Sequence, residues 1–87
     1  MSIQIHLIIK YKISYRLIES GVVFVSIFDI IGKRVKTITR QYQSIGWHSV
    51  FWDGTDNDGK TVSGGLYLIG INNNDVLEKL EKVFLIK

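Results

Sequence analysis

The feature that most limits the fold of this chain is a period of two. Short blocks of β-branched and aromatic residues alternate with polar ones and are cut apart by Gly, Asn and Asp clusters. A period of two sends successive side chains to opposite faces of a strand, so each block can bury one face and leave the other wet. The first block runs from about Ile3 to Ile18 as one bent strand or two, with Ile13, Tyr15 and Leu17 set against Lys12, Ser14 and Arg16. The second, Val22 to Ile30, puts Val23, Val25 and Ile27 on one face and Phe24, Ser26 and Phe28 on the other. Asp29 to Lys33 predicts a tight turn with Gly32 at the positive-φ position. A third strand follows over Arg34 to Tyr42, with Val35 inward.

After Ser44-Ile45-Gly46, a fourth strand covers Trp47 to Asp53, with His48, Val50 and Trp52 on one face and Trp47, Ser49 and Phe51 on the other. A long loop, Gly54 to Gly64, leads to a fifth strand, Gly65 to Ile71, where Tyr67, Ile69 and Ile71 share a face. Asn72 to Asp75 reads as a turn into a last strand from about Val76 to Lys87. That last stretch also fits a helix face through Val76, Leu77, Leu80, Val83 and Phe84, but the β-prone Val83-Phe84-Leu85-Ile86 favours strand. Six or seven strands, each with an apolar face to cover, predict an all-β, immunoglobulin-like antiparallel sandwich.

Composition narrows the function classes. The 87 residues hold no proline and no linker-like run, which suits a single domain over 1–87. With no cysteine, a disulfide framework, a thiolate zinc site and a cysteine nucleophile are all excluded. Eleven basic against eight acidic residues give a net charge of +3, and the one basic cluster, Lys33, Arg34, Lys36 and Arg40, straddles a turn with no stacking aromatics around it. A solvated hairpin tip is expected there, and no nucleic acid. Ile3 to Ile9 is too short to span a bilayer and no cleavage site follows it, so no membrane span is expected. If the parent protein is exported, its signal is expected upstream of Met1, with the chain forming part of a longer protein.

The stretch with most character is Trp52-Asp53-Gly54-Thr55-Asp56-Asn57-Asp58-Gly59-Lys60-Thr61-Val62-Ser63-Gly64-Gly65-Leu66-Tyr67. Structural roles account for it: Trp52 supplies a large apolar body whose indole N–H needs a carbonyl, Asp53 can hold the turn after it, and Gly54, Gly59 and Gly64 allow unusual backbone angles. Calcium on Asp53, Asp56, Asn57 and Asp58 is a competing reading, but the ligand spacing of a calcium loop is missing. A sugar-stacking face built from Trp47, Phe51, Trp52 and Tyr67 is another, against which alternation places Trp52 and Tyr67 in the core. Catalysis has only His6 and His48 to draw on, with no nucleophile motif beside either, so no enzyme and no cofactor are expected.

The same stretch resembles the signature shared by FlgD Ig-like domains and type IX secretion C-terminal sorting domains: a strand ending in Trp-Asp-Gly, a polar loop, then Val-x-x-Gly-x-Tyr. Val25 to Val35 is similar to that family's strand and Gly-Arg-Val hairpin, Gly46-Trp47-His48-Ser49-Val50 to its Gly-x-His-x-Val approach, and Lys82-Val83-Phe84-Leu85-Ile86-Lys87 to its basic-aliphatic ending. The resemblance covers about residues 12–87. Departures are the extra glycine in Ser63-Gly64-Gly65 and the missing Asn-Pro-Phe-like entry. It implies a non-catalytic module, secreted or at the cell surface as part of a parent chain, that directs an attached protein through type IX secretion and is recognised through Lys82 to Lys87 by secretion machinery. The alternative it implies is a structural Ig-like assembly module, as in flagellar hook-capping proteins, that contacts neighbouring protein domains. A carbohydrate-binding module is a third reading.

Overall fold

A computed structural model describes residues 10–86, so the expectations for Ile3 to Ile9 and for Lys87 lie outside the described residues. Six strands form in chain order: β1 (Tyr11–Leu17), β2 (Gly21–Asp29), β3 (Arg34–Gln43), β4 (Gly46–Trp52), β5 (Gly65–Asn73) and β6 (Val76–Leu85). β1 and β4 pair as a two-stranded sheet, and the other strands make a four-stranded sheet in the order β3-β2-β5-β6. All pairs are antiparallel. The stretch 76–85 is strand, as its β-branched end favours, and no helix among the described residues could cross a membrane.

The alternation read from the sequence is the alternation of burial. Ile13, Tyr15 and Leu17 of β1 and Trp52 of β4 face Val23, Val25 and Ile27 of β2, Tyr67, Ile69 and Ile71 of β5, and Val83 and Leu85 of β6, forming one core between the two sheets. Apolar surface removed from water is the main favourable term here, worth roughly 25 cal/mol per Å². The third strand inserts less: Val35 and Ile38 pack against the core from its margin, while Thr39 and Gln43 are its buried residues. Gln43 takes a hydrogen bond from the buried Tyr15 hydroxyl at 2.6 Å, tying β1 to β3 across the layers. At the far end Asn73 is buried and donates to the Glu19 carbonyl at 3.0 Å, which anchors the β1–β2 connection.

Among the strand boundaries that move from the sequence expectation, two bear on the turns and the long loop. Asn72 and Asn73 stay in β5, and only Asn74 and Asp75 turn the chain, with φ of 49° and 65°. Two successive left-handed residues make the turn that suits strand twist in a two-residue hairpin, and Asn and Asp are the non-glycine residues that best tolerate that region. The second shift is at Asp53, which opens the loop rather than closing β4.

The Asp29 turn has a twin. In Asp29-Ile30-Ile31-Gly32-Lys33, Asp29 N–H donates to the Lys33 carbonyl at 2.9 Å, Gly32 N–H to the Asp29 carbonyl at 3.0 Å, and the Asp29 carboxylate accepts from Ile31 N–H and Lys33 N–H at 3.1 and 2.9 Å. Asp56-Asn57-Asp58-Gly59-Lys60 repeats every one of these bonds, at 2.8, 3.0, 2.9 and 3.0 Å. Gly32 and Gly59 have φ of 85° and 79°. Each is a three-residue hairpin loop that ends on a left-handed glycine.

Candidate functional site

The 53–64 loop is the segment with most sequence character, and its polar atoms are spent on holding it to the fold. Trp52 is 1% exposed, meets Tyr67 edge-on with ring centroids 5.2 Å apart, and donates its indole N–H to the Thr55 carbonyl at 2.9 Å. Tyr67 in turn donates its hydroxyl to the Ser63 carbonyl at 2.6 Å. Two aromatic bodies thus fill the core while their polar ends fasten the first and last parts of the loop.

Asp53 makes the Asx turn its position suggests, accepting from Thr55 N–H at 3.1 Å and from the Thr55 hydroxyl. Its carboxyl is held below the usual carboxylate range, chiefly by that hydroxyl, which together with the Lys36 ammonium outweighs the opposing effect of burial. Gly54 is buried with φ 76°, and a β-carbon there would also touch the Leu85 side chain. At the loop's other end the positive angle belongs to Gly65, φ 143°, in place of Gly64.

Within the loop Thr55 and Thr61 bridge, Val62 N–H donates to the Gly54 carbonyl at 2.9 Å, and the Asp56 turn closes the tip. The loop then fastens onto β3. Asn57 N–H donates to the Val35 carbonyl at 3.2 Å, Thr37 N–H to the Asn57 side-chain oxygen at 3.0 Å, and Lys36 to the Thr55 hydroxyl at 2.6 Å and the Asp53 carboxylate at 3.5 Å. These β3 partners were missed by sequence reading, which grouped Lys36 with the basic cluster. The signal was faint: a lysine whose cross-loop acid lies 17 positions away. Arg34 and Arg40 of that cluster stand over the Phe28 and Phe24 rings at 5.7 and 5.6 Å.

Three of the four residues considered for calcium are engaged in this bracing, Asp53 with Thr55 and Lys36, Asp56 with two backbone N–H groups, and Asn57 with Thr37, while Asp58 is exposed at the loop tip. Among the described residues no cluster of three acidic or imidazole groups is arranged to hold a metal. His48 contacts the Ser44 carbonyl through Nε2 at 2.6 Å and stacks on Tyr15. The sugar-stacking set is split by the sandwich, since Trp52 and Tyr67 are in the core while Trp47 and Phe51 are open at 73% and 55% exposure. The terminal stretch divides in the same way: Val83 and Leu85 enter the core, and Lys82, Phe84 and Ile86 face out along the edge strand β6.

The sequence model of the FlgD Ig-like domain matches residues 13–75, from the first buried residue of β1 to the β5–β6 turn. This chain belongs to the FlgD Ig-like domain family. Among solved structures it is similar to FlgD from P. aeruginosa, with a TM-score of 0.70 and 27% identity over 86% of this chain and 60% of that one. It is also similar to FlgD from Xanthomonas campestris, a structure described in terms of the hook capping essential for flagellar assembly, with a TM-score of 0.66 and 29% identity over 87% of this chain and 54% of that one. The chain therefore spans less than two thirds of either FlgD structure. No curated protein matches it. These findings support the hook-capping half of the resemblance and lend none to the type IX sorting half.

Proposed function

We propose that this FlgD Ig-like domain is a non-catalytic structural module of the hook-capping type, secreted or displayed at the cell surface as part of a larger assembly. The observation that carries the proposal is the agreement of family and fold with FlgD over most of the chain. The bracing of the loop supports it, because the side chains of Asp53, Asp56 and Asn57 hold the loop to itself and to β3.

A surface suited to contact is the outer face of the four-stranded sheet. Cross-strand register sets Phe24 beside Asn72 and Leu77, Ser26 beside Gly70 and Leu80, and Leu66 beside Phe84. Leu77, Leu80 and Phe84 are more than half exposed. Gly70 leaves a notch in this face, and a β-carbon there would meet the Phe28 ring at 3.3 Å. Leu77, Leu80 and Phe84 form an exposed apolar row along β6, interrupted by Lys82, and clusters of exposed apolar side chains mark contact surfaces.

The test is a chimera in which residues 10–86 replace the equivalent part of Xanthomonas campestris FlgD in a strain lacking its own copy. Capped, growing hooks are expected, and Phe84→Ser within the chimera is expected to lower their number. A stable, exported chimera that forms no hooks overturns the proposal.

A further inference from the structure

Two aspartates of the chain, Asp53 and Asp58, are followed by glycine. In an Asp-Gly pair the next backbone nitrogen can reach the side-chain carboxyl with least hindrance, because the glycine has no β-carbon to crowd the five-membered ring that closes. The structure treats the two pairs differently. The Asp53 carboxylate accepts from Thr55 N–H and the Thr55 hydroxyl and pairs with Lys36, and Gly54 after it is buried. Asp58 stands exposed at the loop tip, and among the described residues its carboxylate takes no hydrogen bond, only its N–H being engaged, with Asp56. Gly59 is exposed as well, with nothing within 4 Å of where a β-carbon would stand. Asn57 fastens the tip to β3 through Val35 and Thr37, and Asp58 and Gly59 overhang that point. The Gly59 N–H is restrained by one bond, to the Asp56 carbonyl at 3.0 Å, and a single bond at an exposed tip opens by local fluctuation at little cost.

We propose that Asp58-Gly59 is a site of spontaneous backbone modification, at which Asp58 is converted to isoaspartate while Asp53 is spared. The Gly59 nitrogen attacks Cγ of Asp58 and loses its proton, the carboxyl hydroxyl leaves as water, and a succinimide ring closes. Water then adds to one of the two ring carbonyls. Where it breaks the bond between the Gly59 nitrogen and the former main-chain carbonyl, the chain runs on through Cβ and Cγ and that carbonyl becomes a free carboxylate. One water leaves and one returns, so no oxidant, reductant or other co-reactant enters. Both reacting groups belong to neighbouring residues, which makes the ring closure intramolecular and favours it. The protonated carboxyl is the form that sheds water, and the contacts that hold the Asp53 carboxyl below its usual range keep it ionised. The product has an extra main-chain carbon inside the 56–60 turn, where the Gly59 and Lys60 N–H groups now reach Asp56 at 3.0 Å each. This inference does not rest on the hook-capping reading, and either can fail alone.

Ageing the 87-residue chain for weeks in warm, mildly acidic buffer, once folded and once in guanidinium chloride, tests it. Isoaspartate is measured with a methyltransferase that labels it and is placed by electron-transfer fragmentation of the tryptic peptide 41–60, which carries both Asp-Gly pairs. In the denatured chain the two pairs are expected to isomerise at similar rates, since nothing distinguishes them there. In the folded chain Asp58 is expected to lead Asp53 by roughly tenfold or more. Asp58→Glu, which would need a six-membered ring, is expected to remove the label from the folded chain. The Asp58 side chain is exposed, so circular dichroism should be unchanged in that variant. Isoaspartate that accumulates at Asp53 as fast as at Asp58 in the folded chain, none at Asp58, or a label that persists in Asp58→Glu overturns the proposal.

Discussion

At the scale of single residues, three groups link the fold to pH, two from the alkaline end and one from the acid end. Burial raises the pKa of the Tyr15 phenol, and Tyr11 is raised too, by burial first and then by Glu81. A group whose folded pKa lies above its unfolded value contributes stability that is complete below about pH 10 and lost as pH rises through the folded value. Asp53 works the other way: its lowered pKa, set mainly by the Thr55 hydroxyl, contributes above about pH 4 and is lost as pH falls through the folded value. Urea titrations at a series of pH values are therefore expected to show stability falling on both limbs. Tyr15→Phe should flatten the alkaline limb and Asp53→Asn the acid limb, each leaving the other in place. An alkaline limb as steep in Tyr15→Phe as in the parent would sink the assignment. Asp53 is about half exposed, so its limb should be the shallower of the two.

Among elements, the paired Asp-x-x-Gly-Lys turns make the sharpest claim. Both place the same four hydrogen bonds and the same left-handed glycine, although one closes a hairpin of the main sheet and the other sits at the tip of a surface loop. A left-handed angle costs an L-residue about 1–2 kcal/mol, so Gly32→Ala and Gly59→Ala should each destabilise by about that much, and by similar amounts. Asp29→Ala and Asp56→Ala should each lose about 1 kcal/mol by stripping two backbone N–H groups of their acceptor. Urea midpoints measure all four. A neutral Gly59→Ala beside a costly Gly32→Ala would mean that the loop tip is not braced as the hairpin is. The twinning was readable in principle from the matching Asp, Gly and Lys. It was obscured because the residues between them, Ile30-Ile31 in one turn and Asn57-Asp58 in the other, look unrelated in chemistry.

For the molecule as a whole, what the sequence could say divides along the line between local and long-range physics. Alternation located the strands and named the buried set from Ile13 to Tyr67, and the Trp52 indole found its carbonyl in the loop that follows. Strand order was not legible, because pairing β1 with β4 and β2 with β5 joins residues far apart in the chain, and no local pattern encodes the partner. Nor was the fastening of the loop to β3, which depends on where the folded hairpin carries Lys36 and Thr37. That pairing has a consequence for unfolding. A two-stranded sheet is marginal in water, so β1–β4 persists only by packing Ile13, Tyr15, Leu17 and Trp52 onto the larger sheet and through links such as Tyr15 to Gln43 and Lys79 to the Ser14 carbonyl. Equally, the larger sheet loses its cover if the smaller one leaves. Both tryptophans lie on β4, so fluorescence follows the small sheet while far-ultraviolet dichroism follows mainly the large one. The two signals should share one midpoint in urea, and Leu17→Ala should move both together by about 2–5 kcal/mol. A fluorescence transition that precedes the dichroic one would show the small sheet detaching from a large sheet that stands without it.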